Sequence, residues 1–350
     1  MGDNITIGMD LGDRNHVVVV LDGNGEQFLC QKLVNTKVAM KRFFKTYKGA
    51  TVAIEAGTHS PWISRLLEEM GCQVYVGNPH KLRVIWDSTD KSDERDARML
   101  AMIARLEPKL LWPIRHRDAA AHNDLEVIKA RDILVQCRTK LINHVRSAVK
   151  GCGERLPKCS AASFATRAVD LLPEALGPAL MPLMNSIAEL TERIRTFDKR
   201  INSLAADRYP HTRWLQQVAG VGPVTALSYV LTIEDPGRFA KSRKVGPYLG
   251  LTPRRDQSGR IDKQLRITKA GNVYLRQLLV TCAHYIIGPF GPDSDLKRHG
   301  LAIAARGGKN ARKRAAVAVA RKLSVLLHRL WVSEQPYVPF YAGQNVQKAA

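Results

Sequence analysis

Asp10, Glu55, Asp93 and Asp96 are the side chains of this sequence whose types and spacing could do chemistry together. Asp10 interrupts the apolar run Ile5-Thr6-Ile7-Gly8-Met9-Asp10, and Glu55 ends Thr51-Val52-Ala53-Ile54-Glu55. Asp93 and Asp96 open a helical pattern, Asp93-Glu94-Arg95-Asp96-Ala97-Arg98-Met99-Leu100. An i,i+3 spacing puts that pair on one helix face. Carboxylates gathered in this way repel one another unless a divalent cation joins them. Mg2+, with Mn2+ as a substitute, is the expected cofactor. Two such ions would clamp the attacking and leaving oxygens of a phosphodiester. Taken singly, each acid is also readable as an exposed carboxylate or a helix-cap residue. Asp13 falls beyond a glycine at the strand exit, and Glu94 faces away from the 93/96 pair.

The elements around these acids read as an α/β unit over residues 1–110. Strands are expected at 5–9 and 17–21. Asp22-Gly23-Asn24-Gly25 is a hairpin turn leading to a third strand near 28–33. A helix follows at about 36–47, then the strand that ends on Glu55. The next helix has Ser60 as its N-cap and Pro61 at its first position. A fifth strand spans 73–76, and the helix of Asp93 and Asp96 runs to about Leu106. The order is β-β-β-α-β-α-β-α.

Beyond residue 110 the pattern changes. One long helix is expected from Asn123 to Lys150, ended by Gly151. Residues 151–178 hold Pro, Gly and Ser and read as a loop or broken helices. Leu183, Ile187, Leu190, Ile194, Phe197, Ile201 and Leu204 then keep a strict 4-3 spacing, a coiled-coil seam. The seam suits either a helical hairpin packed on itself or a dimerisation arm. Residues 211–335 read as mostly helical and basic, and 336–350 as a tail. In the hexapeptide Val218-Ala219-Gly220-Val221-Gly222-Pro223, two glycines let backbone N–H groups approach a phosphate. This is the look of a helix-hairpin-helix, and equally that of an ordinary helix–helix turn. An Arg-rich loop, Gly250-Leu251-Thr252-Pro253-Arg254-Arg255-Asp256-Gln257-Ser258-Gly259-Arg260, comes next. Ile267-Thr268-Lys269-Ala270-Gly271-Asn272 then leads into a helix at 273–287. Lys309, Arg312 and Lys313 lie at the start of a long basic helix ending near Trp331.

Charge separates the parts. The net charge is +22. In residues 211–350, 23 lysines and arginines face 7 aspartates and glutamates, giving +16. Residues 1–110 are nearly neutral, with 15 against 14. A field of that size suits a polyphosphate backbone. No long apolar span or lipidation signal points to a membrane. Six scattered cysteines without a Cys-x-x-Cys pair read as free thiols. The N-terminus lacks a secretory apolar region, so the cytoplasm is expected.

The acidic pattern resembles the RNase H/RuvC-like fold, which carries an Asp on its first strand, a Glu on its fourth and further acids on a late helix. The motifs Gly8-Met9-Asp10, Ile54-Glu55-Ala56-Gly57 and Lys91-Ser92-Asp93-Glu94-Arg95-Asp96-Ala97-Arg98 go further. They look like the DEDD transposases of insertion sequences and the related Piv-type DNA invertases. Gly220/Gly222, Gly250-Leu251-Thr252-Pro253, Ser258-Gly259 and Lys269-Ala270-Gly271 follow in that family's order. The resemblance covers about residues 5–330.

This resemblance implies that Ser258 is a nucleophile; read alone, a Ser before Gly is most often a turn residue. Attack on a phosphodiester would store the bond as a phosphoserine ester, so that a strand can rejoin a new partner without ATP. Arg254, Arg255 and Arg260 could stabilise charge on the phosphate. A composite site, with the acids from one subunit and Ser258 from another in a dimer or tetramer, is consistent with the seam. The resemblance also implies a bacterial protein acting on nucleoid DNA, and a structured guide RNA pairing with donor and target. Two other classes stay open: a RuvC-like branched-DNA nuclease using a metal-activated water, and a nucleic-acid-binding protein without enzymatic activity.

Overall fold

The computed structural model describes residues 5–82, 92–258 and 261–340; at His80, Ser258 and 261–264 only the backbone is described. Contacts divide the chain into two compact units, 1–118 and 119–350. Residues 119–210, most of the helical coiled-coil connector read from the sequence at 111–210, thus share one unit with the basic C-terminal segment.

In the first unit, alternation along the strands sorts side chains onto two faces. Strands β1 (Thr6–Asp10), β2 (Asn15–Leu21) and β3 (Gln27–Val34) are followed by helix α1 (Lys37–Phe44), β4 (Thr51–Glu55), α2 (Ser60–Glu69) and β5 (Gln73–Gly77). The short α3 (Pro79–Leu82) precedes α4 (Asp93–Leu106). The sheet order is β3-β2-β1-β4-β5. β1 pairs antiparallel with β2 and parallel with β4, and β4 is parallel to β5. Ile7, Met9, Val18, Val20, Val52 and Ile54 face one way and bury Met40, Phe44, Ile63 and Leu67 of α1 and α2. Val17, Val19 and Leu21 face the other way, against Ala97 and Ala101 of α4. Ala53 packs there on Leu100.

Ser60 is not the N-cap that the sequence suggests. His59 takes that position without a side-chain bond, and Ser60 is the first helical residue. Its buried hydroxyl donates to the Gly57 carbonyl at 2.8 Å and lies 2.8 Å from His116 Nε2. A hydroxyl engaged in that way is no longer available to the helix N–H groups.

In the second unit, α5 (Ala119–Gly151) and α7 (Gly177–Ser203) pair as an antiparallel hairpin, with α6 (Phe164–Ala168) between them. Arg131 bonds Asp198 at 2.5 Å and Arg138 bonds Thr191 at 3.2 Å. Ile187 of the seam buries itself with Val145, Val149 and Phe164. Ile201 packs with Leu125 and Ile128. The seam therefore has a partner within the chain.

A helical core follows. It is built from α8 (Thr212–Gln216), α9 (Pro223–Ile233), α10 (Val245–Tyr248), α11 (Val273–Ile287), α12 (Asp295–Ala304) and α13 (Ala311–Ser333). Tyr229, buried completely, donates its hydroxyl to the Ser324 carbonyl at 2.6 Å in its centre. The Arg-rich stretch is not a loop. It forms a two-stranded antiparallel sheet, β6 (Pro253–Ser258) and β7 (Ile261–Ile267), in which Ser258 opposes Ile261. Residues 336–340 dock on this unit: Tyr337 N–H donates to Gln217 Oε1 at 2.7 Å, and the Pro339 carbonyl accepts from Asp295 N–H at 2.9 Å.

Candidate active site

Three elements of the first unit bring the acids to one end of the sheet. Met9 pairs with Ile54, so Asp10 and Glu55, the next residues, close adjacent parallel strands side by side. Both are half-buried. Helix α4 starts beside them. Its N-cap is Ser92, whose hydroxyl accepts from Arg95 N–H at 3.3 Å. Asp93, Glu94 and Asp96 occupy the first turn, where the helix dipole favours negative charge.

Gly8 sets how close α4 can come. A Cβ at Gly8 would lie 1.9 Å from the Ala97 carbonyl oxygen and 2.6 Å from the Ala101 nitrogen. Only glycine permits that approach, and alanines 97 and 101 complete it from the helix side. At its far end α4 is fastened by Arg105, which donates to the carbonyls of Asp22 and Gly23 at 3.3 and 2.5 Å. The turn that looked like a simple hairpin thus also anchors the helix that carries Asp93 and Asp96.

Electrostatics follow from this packing. Burial raises the pKa of Asp10 above the ordinary aspartate value, and the charges of Asp93 and then Asp96 raise it further. A hydrogen bond from Leu11 N–H opposes them. The donors available are carboxylate oxygens, which suit a hard divalent cation. The repulsion on Asp10 is what a cation would relieve. Among the described residues, no three His, Cys, Asp or Glu side chains are set closely enough to hold a metal ion as they stand. The fit to such an ion therefore rests on donor type and on the electrostatics of Asp10.

The neighbouring acids separate as expected. Glu94 points to β3 and accepts from Gln27 at 3.2 Å. Asp13 is exposed and lies 3.3 Å from His59 Nε2. On the other face of the sheet, His16 is fully buried, and that burial lowers the pKa of its ring.

The remaining candidates belong to the second unit. Ser258 ends β6, and its side chain lies outside the described residues, as do Gly259 and Arg260. Arg254 and Arg255 lie on β6 and are exposed. The two motifs flanking the hairpin clasp its base. Lys269 N–H donates to the Gly250 carbonyl at 3.1 Å, and Thr268 N–H to Thr252 at 2.9 Å. Lys269 itself adopts a left-handed φ of 58°. A Cβ at Gly250 would lie 2.3 Å from Ala270 N, and one at Gly271 2.2 Å from the Tyr248 carbonyl oxygen. Sequence reasoning missed Arg276. It is buried and donates to the carbonyls of Leu249 and Ala270 at 3.0 and 2.7 Å, joining both motifs to α11.

Gly220 and Gly222 have different tasks. Gly220 has φ +89°, and a Cβ there would come within 2.7 Å of the Tyr285 ring. Gly222 faces open space and is the N-cap of α9. Val218 and Val221, both buried, plug the turn into the core. Lys309, Arg312 and Lys313 are exposed at the start of α13. Among the described residues, no helix is long and apolar enough to cross a membrane.

Comparison with known proteins covers both units. Residues 7–153 match the DEDD_Tnp_IS110 model, described as a transposase, and 212–295 match the model described as transposase IS116/IS110/IS902 family. A probable family 20 transposase of Pseudomonas aeruginosa is 26% identical over 95% of this chain and 98% of its own length. The transposase for insertion sequence element IS1111A of Coxiella burnetii is 28% identical over 83% of this chain and 79% of its own. That for IS1328 of Yersinia enterocolitica is 26% identical over 80% and 83%. With the acids in the first matched segment and the hairpin clasp in the second, the chain belongs to the IS110/IS116/IS902 family of insertion-sequence transposases.

Proposed function

We propose that this transposase breaks and rejoins DNA through a phosphoserine intermediate on Ser258, assisted by divalent metal held by Asp10, Glu55, Asp93 and Asp96. The observation that carries the metal part is the strain on Asp10: burial and two neighbouring carboxylates disfavour its charge. A fold that keeps those acids together against repulsion has a use for a cation there. This is also the arrangement that the RuvC-like reading expects. Bound Mg2+ would supply Lewis-acid polarisation of the scissile phosphate.

The protein's own residues account for the rest. The Ser258 hydroxyl loses its proton and attacks phosphorus. A serine–phosphate ester forms as the bond to the departing strand breaks, and that strand leaves as a hydroxyl after taking up a proton. Attack by the hydroxyl of a new strand reverses these steps and frees the serine. Arg254, Arg255 and Arg260 are assigned to the phosphate's charge. Gly220 and Gly222 are assigned to a helix-hairpin-helix contact with the DNA backbone; open space at Gly222 supports that reading. Lys269, Lys309, Arg312 and Lys313 extend the basic surface. A structured RNA of the element would choose the DNA partners, and the protein would act as an oligomer.

Two variants test the proposal. Asp10→Ala should abolish recombination while preserving the fold. Ser258→Ala should bind DNA yet neither exchange strands nor form a protein–DNA adduct under denaturing conditions. Cleavage by Ser258→Ala at the wild-type rate, with no adduct in the wild type, would instead identify water as the nucleophile.

A further inference from the structure

We infer that a basic groove of the second unit, between α13, the turn at 242–247 and residues 337–339, holds an unpaired strand of DNA. The groove has a volume of about 630 Å³, in the range of pockets that enclose a ligand of nucleotide size. Arg321, Lys322 and Arg329 line it from α13, and Arg243 and Lys244 from the turn. Among the described residues, Arg243, Lys244, Arg321 and Lys322 have no carboxylate partner. Burial, and then the charges of Lys322, Arg321 and Arg306, lower the pKa of nearby His299.

Apart from the cations and from Asp295, Ser242 and Thr252, the lining is largely apolar. Leu296, Val325 and Leu326 form it, and the half-buried Tyr337 contributes a ring. Positions 321, 322, 325, 326 and 329 fall on one face of α13. A duplex keeps its base faces stacked inside, so it would use the cations and leave this floor empty. An unpaired strand offers both a phosphate for the rim and a base face for the floor. An acidic peptide would satisfy only the rim.

The walls are fixed in advance. Buried His328 lies 3.0 Å from the Ser242 hydroxyl through Nδ1 and 3.0 Å from the Pro236 carbonyl through Nε2. Facing a carbonyl, Nε2 carries the proton, and Nδ1 accepts from Ser242. That holds the turn bearing Arg243 and Lys244. The third wall is held by the bonds from Tyr337 to Gln217 and from Asp295 to Pro339. The hydroxyl of Ser242 is bonded to His328. DNA rather than RNA is named because breaking and rejoining strands exposes unpaired DNA; this choice alone rests on the function proposed above.

The test measures binding by the full-length protein in EDTA, so it stands apart from cleavage. Fluorescence anisotropy compares a short labelled oligothymidylate with an abasic analogue, an oligouridylate and a duplex of the same length. In Arg321→Gln/Lys322→Gln, affinity for oligothymidylate should fall about tenfold. Its salt slope should drop by about 1.4, since each single-strand phosphate contact contributes about 0.7. Duplex affinity should fall clearly less, because a duplex places no base face against the apolar lining. The wild type should bind the abasic analogue roughly tenfold more weakly than oligothymidylate. Photo-crosslinking should place the strand on Tyr337 or the 321–329 segment. An unaltered oligothymidylate affinity in the variant, or an equal loss for duplex, would overturn the inference. So would tight binding of the abasic strand, or a clear preference for oligouridylate.

Discussion

At Asp10, burial, Asp93 and Asp96 all favour the protonated form, and this fixes the sign of a pH effect. A carboxyl whose folded pKa lies above its unfolded one binds protons more tightly when folded. Stability is therefore lost as pH rises from the unfolded pKa through the folded one, and it stays lower at neutral pH. Asp10→Asn should raise the melting temperature at neutral pH, with the gain vanishing in acid. Mg2+ should raise the melting temperature of the wild type more than that of Asp10→Asn. A variant less stable than wild type at neutral pH would contradict the repulsion. The placement of Asp10 and Glu55 at the ends of strands was legible because each closes an apolar run. Arg276 was not legible. Its importance lies in two carbonyls, Leu249 and Ala270, that only the fold brings to it. Arg276→Ala leaves both without that donor in a buried setting, and should cost about 3 kcal/mol in urea unfolding.

Among elements, α4 has the strictest requirement. Its backbone touches β1 at Gly8, so Gly8→Ala must push the helix outward or strain the strand. Because the clash is with backbone, the cost should be near the upper end of overpacking, about 3 kcal/mol, measured by denaturant unfolding. Metal binding and recombination should fall with it. Full activity and unchanged stability would mean that α4 need not sit against β1. The five strands and this helix could be read from periodicity, since each has one face that must be buried. The β6–β7 hairpin could not. Polar and arginine-rich residues with no buried alternation look like a loop, and the pairing is specified instead by the glycine clasp at 250 and 271. The seam of α7 was visible, but its partner was not, because a 4-3 spacing carries no address. With Ile187 and Ile194 both buried, Ile187→Glu/Ile194→Glu places two carboxylates in an apolar interface. Circular dichroism should show melting of the α5–α7 hairpin. A change confined to subunit association, with helicity intact, would instead point to an intermolecular seam.

Along the whole chain, the four acids and most of the positive charge fall in different segments. Residues 211–350 carry +16, whereas residues 1–110 are close to neutral. That asymmetry was plain from composition. The division at 118/119 was not, because the sequence changes character at 111 and 211 but the helical hairpin shares its core with later helices: Ile128 and Ile201 pack with Leu227 and Leu231 of α9. The acids proposed to hold metal thus fall in a nearly neutral segment, and backbone binding is assigned to the other unit. Such a separation makes a quantitative claim. Nucleic-acid affinity in the 119–350 fragment should reproduce most of the salt slope of the full chain, because counterion release counts phosphate contacts wherever the cations are. The 1–118 fragment should bind weakly and with a shallow slope. Circular dichroism and thermal melting of each fragment would show that it is folded before binding is measured. If two folded fragments had equal slopes, the phosphate contacts would be shared between units, and the assignment of backbone binding to the C-terminal unit would fail.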